Sequence, residues 1–180
     1  YSKLLTGGTI VFLSDLNITA NTLFPRCQYP VTLTSKTGAE GIYTTGNLRM
    51  QGDPTFRNIT LTFNGTGLLF ISGEGNDLTI DTGVTTVNKT GNQVNLVATK
   101  RYDAALTANP TLTVRSGKWD YIYATHGNSI TGNIVVNVEG GDCRAVSPGY
   151  NAVVTGNGGS LLFHGLIPKL YHRIGNDAAH

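Results

Sequence analysis

The sequence predicts an all-β fold, a right-handed parallel β-helix (β-solenoid) of about 16–24 residues per rung. Three observations carry this expectation. Charged residues make up only 13% of the 180-residue chain while glycine reaches 23, against a usual charged share of about 25%. Short alternating runs recur along the chain, and the i, i+3, i+4, i+7 spacing of an amphipathic helix is hard to find between Thr6 and Gly165. A leucine between two threonines returns at Thr32-Leu33-Thr34, Thr60-Leu61-Thr62 and Thr111-Leu112-Thr113.

Each of these has a physical reading. Threonine is branched at Cβ and fits a pleated strand, whereas glycine supplies the left-handed corners between strands. The alternating runs place strands over residues 9–13, 16–19, 31–34, 47–50, 58–63, 68–71, 77–80, 94–98, 111–114, 121–124, 134–138, 152–155 and 160–163. Gly, Asn, Asp or Pro bounds each run, as turn chemistry requires. With Leu61, Leu78, Leu96 and Leu112 taken as equivalent inward positions, the spacing is 17, 18 and 16 residues. A coil of that size cannot bury its own leucine, but stacking at the strand spacing of about 4.8 Å makes one apolar column. A β-sandwich is the alternative, and it is under-supported because the Asn-Gly hairpin signal between clean strands occurs only at Asn64-Gly65. Residues 1–165 are read as the β-helix domain and residues 166–180, where alternation fades around Pro168, as a cap, linker or subunit-contact segment.

The phrases Gly7-Gly8-Thr9-Ile10-Val11, Asp53-Pro54-Thr55-Phe56-Arg57-Asn58-Ile59-Thr60-Leu61, Leu78-Thr79-Ile80-Asp81-Thr82-Gly83-Val84 and Leu112-Thr113-Val114-Arg115-Ser116-Gly117-Lys118-Trp119 resemble those of large bacterial secreted and cell-surface parallel β-helix proteins. That group belongs with the pectate-lyase-like superfamily. The resemblance implies fold and an extracellular or cell-surface location; it transfers no catalytic residue. No charged and apolar leader opens the sequence, so a secretion signal is expected outside it.

Cys27 and Cys143 test the architecture. They are 116 residues apart, which at the expected rung size separates them by roughly 30 Å along the stack, beyond disulfide reach. Two free thiols are therefore expected, and a bridge between them would count against a solenoid. Neither has neighbouring ligands at metal spacing, and the four histidines are dispersed, so no metal or cofactor is expected.

The richest cluster of candidate binding residues is Arg115, Lys118, Trp119, Asp120, Tyr121 and Tyr123. If Ile122 points inward, strand alternation sends Tyr121 and Tyr123 outward beside the only tryptophan and charges of both signs. Aromatic faces stack on the apolar faces of sugar rings while charged groups satisfy hydroxyls, so a polysaccharide or surface glycan is the expected partner. Packing of Trp119 at a corner is the competing reading. Asp77 and Asp81 fall in no recognisable catalytic phrase, and neither does Asp103. Scattered basic residues at a net charge of +2 argue against nucleic-acid binding, and no apolar run approaches the length that crosses a membrane. The function classes are thus ranked as a non-catalytic adhesive or structural module, then a β-helix polysaccharide lyase or glycoside hydrolase, then a spacer or filament subunit that self-associates through its ends. Threonine ladders of an ice-binding kind are disfavoured by their irregular spacing.

Overall fold

A computed structural model of the chain describes residues 7–24, 26–27, 29–99, 106–127, 130–150, 154–155 and 160–163. The described residues form β-strands, turns and bends without a helix. Sheet I contains seven strands in spatial order: β1 (Gly8–Phe12), β4 (Val31–Ser35), β7 (Pro54–Phe56), β10 (Leu78–Ile80), β14 (Thr111–Val114), β17 (Val135–Val138) and β20 (Ser160–Phe163). Sheet II contains β2 (Leu16–Ile18), β5 (Gly41–Thr44), β8 (Ile59–Phe63) and β11 (Val84–Asn88). Sheet III contains β3 (Thr22–Phe24), β6 (Leu48–Met50), β9 (Leu69–Ser72), β12 (Val94–Thr99), β15 (Lys118–His126) and β18 (Asp142–Tyr150). A short sheet IV joins β13 (Leu106–Thr107), β16 (Ile130–Thr131) and β19 (Val154–Thr155). The pairings within all four sheets are parallel. A chain can pair in parallel with its own next strand on every face only by winding around an axis, so the fold is a parallel β-helix.

The register defines the repeat. On sheet I, Ile10 stands against Leu33, Leu33 against Phe56, Phe56 against Ile80, Ile80 against Val114 and Val114 against Val138. On sheet I a coil therefore takes 23 to 25 residues, with a single interval of 34 between Ile80 and Val114. The leucines chosen from sequence all point into the core, but they occupy three faces: Leu61 on sheet II, Leu96 on sheet III, and Leu78 and Leu112 on sheet I. Only Leu78 and Leu112 are true register partners. Every face carries the same alternation, so a step between faces imitates a repeat.

Several strands lie outside the alternating runs of the sequence. β5 is a short Gly-Ile-Tyr-Thr run; β7 opens on Pro54, tolerated because proline at the first position of a strand costs few ladder bonds. β18 holds Pro148-Gly149, an apparent turn, yet it pairs in parallel with β15 along its length, and among the described residues it is the outermost strand of sheet III, where proline is tolerated. β3, β11, β13 and β16 are likewise found only in the structure. Asn64-Gly65 forms a corner between β8 and β9 rather than a hairpin. A Cβ on Gly65 would lie 2.1 Å from the Thr45 carbonyl oxygen of the coil below, so only glycine lets the corners stack.

Corner side chains also bond along the axis. Asp53 Oδ1 accepts the Asp77 N–H at 3.1 Å and Asp77 Oδ1 accepts that of Thr111 at 2.7 Å. Asn21 accepts from Asn47, and Asn47 in turn from Phe70, at 2.8 and 2.9 Å. These acids and amides supply acceptors where the ladder is interrupted. On sheet III, Arg49 makes a bidentate pair with Glu74, 3.1 Å from Nε to Oε1 and 2.8 Å from Nη2 to Oε2. Ser72 Oγ donates to the same Oε1 at 2.5 Å. Glu74 holds a left-handed φ of 53° and its side chain is 4% exposed, so the ion pair pins a strained corner.

Cys27 and Cys143 are buried and form no disulfide, one lying before β4 and the other in β18. No helix among the described residues is long and apolar enough to cross a membrane. The expected cap or contact segment 166–180 lies outside the described residues.

Two stability predictions follow from this packing. Phe56→Ala, at a fully buried sheet I position, is expected to cost about 3–5 kcal/mol in urea unfolding. Glu74→Ala, which strands the partly exposed Arg49 guanidinium, is expected to cost about 2–3 kcal/mol. Losses under about 1 kcal/mol for both would contradict the register described.

Candidate functional site: a cleft where sheet II ends

Sheet II stops at β11 while sheets I and III continue. After β14 the chain turns through Arg115-Ser116-Gly117 straight into β15, omitting the sheet II strand. The inward column of sheet II anticipates this. Leu61 and Phe63 of β8 are opposed in β11 by Thr86 and Asn88, so the column becomes polar where no coil covers it.

The missing strand is partly replaced by side chains. Ser116 Oγ accepts the Val84 N–H at 3.0 Å and donates to the Asp81 carbonyl. Thr86 Oγ1 accepts the Lys118 N–H at 2.8 Å and donates to its carbonyl at 2.9 Å. Trp119 then drops into the gap, 3% exposed, with its ring edge-on to Phe63 at 6.4 Å and 73°. Its indole N–H donates to the Ser116 carbonyl at 3.0 Å. Gly117, at φ 87°, allows this fold-back, since a Cβ there would sit 2.8 Å from the indole nitrogen.

What remains is an open cleft of about 560 Å³. Its floor is Phe63, Val94 and Trp119; Thr86, Asn88 and Gly91 form the lower lip, and Lys118, Asp120, Asp142, Cys143 and Arg144 the upper wall. β18 delivers its residues by register, with Lys118 against Asp142 and Trp119 against Cys143. Asp120 is oriented by the Val94 N–H, which donates to its Oδ2 at 2.8 Å. Lys118, Asp142 and Arg144 are exposed. Burial, and after it the charge of Asp142, pushes the Cys143 thiol above its ordinary range, which keeps it protonated and a poor nucleophile. Among the described residues no group of three or more His, Cys, Asp or Glu could hold a metal ion.

The cluster selected from sequence thus divides. Lys118, Trp119 and Asp120 line the cleft. Tyr121 and Tyr123 flank the fully buried Ile122 and leave the other side of the sheet, stacked on each other at 5.6 Å and 15°. Tyr123 is 8% exposed, covered in an outer apolar layer with Phe70 and Val97. His126 caps that layer edge-on, 4.7 Å from Phe70 and 5.4 Å from Tyr123. Arg144 connects the two regions, its guanidinium 5.7 Å from the Tyr121 ring centre. Arg115 is absent from the cleft lining; it ties stacked coils, bonding Glu139 at 2.8 Å and Asp81 at 3.5 Å. Asp142 and Arg144 carry no strand signal in the sequence, because Gly140-Gly141 and Pro148-Gly149 frame β18 as a turn. The signal that would have found them is the 24-residue coil offset from Lys118 and Asp120.

The fold and its interruption define the class: a parallel β-solenoid with a cleft at a step in its cross-section. No protein-family model, curated protein or solved structure matches this chain.

Two measurements check this geometry. Trp119→Ala, which opens a void on Phe63, is expected to cost about 3–5 kcal/mol, with Trp119→Phe recovering a large part. Cys143 is expected to resist alkylation near neutral pH and to react faster as pH rises toward its elevated pKa, whereas rapid neutral labelling would contradict its burial.

Proposed function

We propose that this chain is a non-catalytic, extracellular β-solenoid module of a bacterial surface protein of the pectate-lyase-like kind, and that it holds a saccharide in the step cleft. The observation that carries the reading is the cleft itself, with an apolar floor of Phe63, Val94 and Trp119 beneath Asn88, Lys118, Asp120, Asp142 and Arg144. Sugar rings present apolar C–H faces and rims of hydroxyls, which suits carboxylates, amides and guanidinium groups set around such a floor. A volume of about 560 Å³ falls within the usual range for small-ligand sites, about 300–1,000 Å³. Trp119 is nearly covered, so it supports the floor and offers little ring face for stacking. Arg144 and Tyr121 extend a contact surface from the cleft onto sheet III, as a chain-like ligand would need.

A second reading, polysaccharide cleavage, is favoured by the convergence of Asp120 and Asp142 with Lys118 and Arg144 on one cleft. Paired carboxylates or a base beside a cation are the minimum for hydrolysis or elimination. Binding is preferred because Asp120 is committed to a backbone N–H and Asp142 is solvated, whereas a general acid generally relies on desolvation.

A glycan array tests the first reading. Retention of a subset of glycans is expected, with affinity falling at least about tenfold in Asp142→Ala and Arg144→Ala and unchanged in Arg115→Ala. Binding that survives both cleft changes would place the ligand elsewhere. Incubation with the retained glycans separates the readings. Release of reducing ends or unsaturated products that is lost in Asp142→Asn would make the module an enzyme.

A further inference from the structure

The lower lip of the cleft is the open edge of a parallel sheet. Val84 turns its N–H away from β8, where Ser116 Oγ receives it at 3.0 Å, and Lys89 turns its N–H toward β8, donating to the Phe63 carbonyl at 2.8 Å. Main-chain groups alternate along a strand, so Thr86 and Asn88 direct theirs to the same open side as Val84. β11 is the last strand of sheet II, and among the described residues no group bonds the main-chain N–H or C=O of Thr86 or Asn88 on that side. This edge is internal to the rod, since β14 and β15 continue the coil above it on sheets I and III.

The side chains of the lip are already engaged. Thr86 Oγ1 is held between the N–H and C=O of Lys118. Asn88 Oδ1 accepts the N–H groups of Thr90 and Gly91 at 3.2 and 3.0 Å, and its Nδ2 donates to the Asn92 carbonyl. What the lip offers a ligand is therefore peptide donors and acceptors. The upper wall carries two carboxylates, Asp120 and Asp142, against two cations, Lys118 and Arg144, and among the described residues no ion pair joins any two of the four. The wall thus has donors and acceptors to spare and no net charge with which to draw in a polyanion.

We propose that the cleft selects saccharides bearing an N-acetylamino group, an inference that rests on the saccharide reading of this site. Covering an unpaired main-chain group without giving it a partner costs its desolvation in full, so the ligand must bring a match for the edge. An acetamido group does so in one planar unit. Its trans amide sets N–H and C=O on opposite sides. The C=O takes the Asn88 N–H at the lip, the N–H turns to the Asp142 carboxylate on the wall, and the methyl group meets the apolar floor beside Val94. A sugar with a hydroxyl at the same carbon has no methyl group for that floor and reaches one side only. An extended peptide needs a longer edge, since strand addition takes its affinity from a run of main-chain bonds and Lys118 already lies against Thr86.

Arrayed glycan pairs, identical except for acetamido or hydroxyl at one ring carbon, test this beside amide NMR of the full chain. The N-acetylated member is expected to bind at least about tenfold more tightly than its hydroxyl twin, the equivalent of about one well-placed hydrogen bond. On titration with N-acetylglucosamine or N-acetylgalactosamine the Asn88 amide signal is expected to shift, while glucose and galactose leave it in place. Asn88→Ala and Asn88→Pro both give up the corner bonds, but only proline removes the N–H, and on an open edge it spares the bonds to β8. The acetamido preference is expected to survive the first change and to vanish with the second; the signal of the unsubstituted chain decides if the proline variant does not fold. Retention of both twins alike overturns the proposal and leaves the saccharide reading standing, whereas an array that retains nothing removes both. An Asn88 signal that moves with an acetyl-capped alanine peptide and with neither amino sugar also overturns it, giving the edge to a protein partner.

Discussion

Every feature of this molecule depends on one constraint: each coil can bury its inward side chains only if the next coil lies directly over it in parallel register. A turn of 23 to 25 residues carries few contacts within itself, so Leu33, Phe56 and Ile80 become dry because of their neighbours along the axis. Corner chemistry serves the same end. Gly65 lets one backbone rest on another, and the Asp53, Asp77, Asn21 and Asn47 carboxyl and amide oxygens receive N–H groups that the turning chain would otherwise leave unpaired.

The cleft exists because that constraint is relaxed on one face and retained on the others. Dropping a strand from sheet II would expose Phe63 to water, and the chain prevents this by folding Trp119 back over it, with Gly117 permitting the approach. The polar character of Thr86 and Asn88 completes the transition. Packing and recognition are therefore arranged by the same few residues, and the charges around the rim come from strands whose alignment the regular part of the stack enforces.

Alternation and turn residues made the class of fold legible in the sequence, since the same binary pattern recurs at strand after strand. The length of the turn was less so. Leu61, Leu78, Leu96 and Leu112 look equivalent in sequence because all face inward, and nothing local distinguishes one face from another. Strands such as β7 and β18 were hidden by prolines whose tolerance depends on position in the sheet. The site was half legible: Lys118, Trp119 and Asp120 are adjacent in sequence, whereas Asp142 and Arg144 reach them only through a pairing that cannot be drawn before the repeat is known. Tyr121 and Tyr123 do flank an inward Ile122, but alternation says which side of the sheet a residue leaves, not what later covers it.

The 34-residue interval between Ile80 and Val114 has a broader meaning. About ten extra residues enter one turn, sheet IV begins, sheet II closes, and the next turn resumes its 24-residue stride with sheet I unbroken. The described turns that follow keep sheet IV and lack sheet II, so the cross-section changes for good while the sheet I ladder runs through the step unbroken, as a stairwell changes its plan at a landing and keeps one wall. Loop grafts at such a position should leave the sheet I register of distant turns undisturbed, which makes the corner between sheets III and I the natural place for such a chain to diversify.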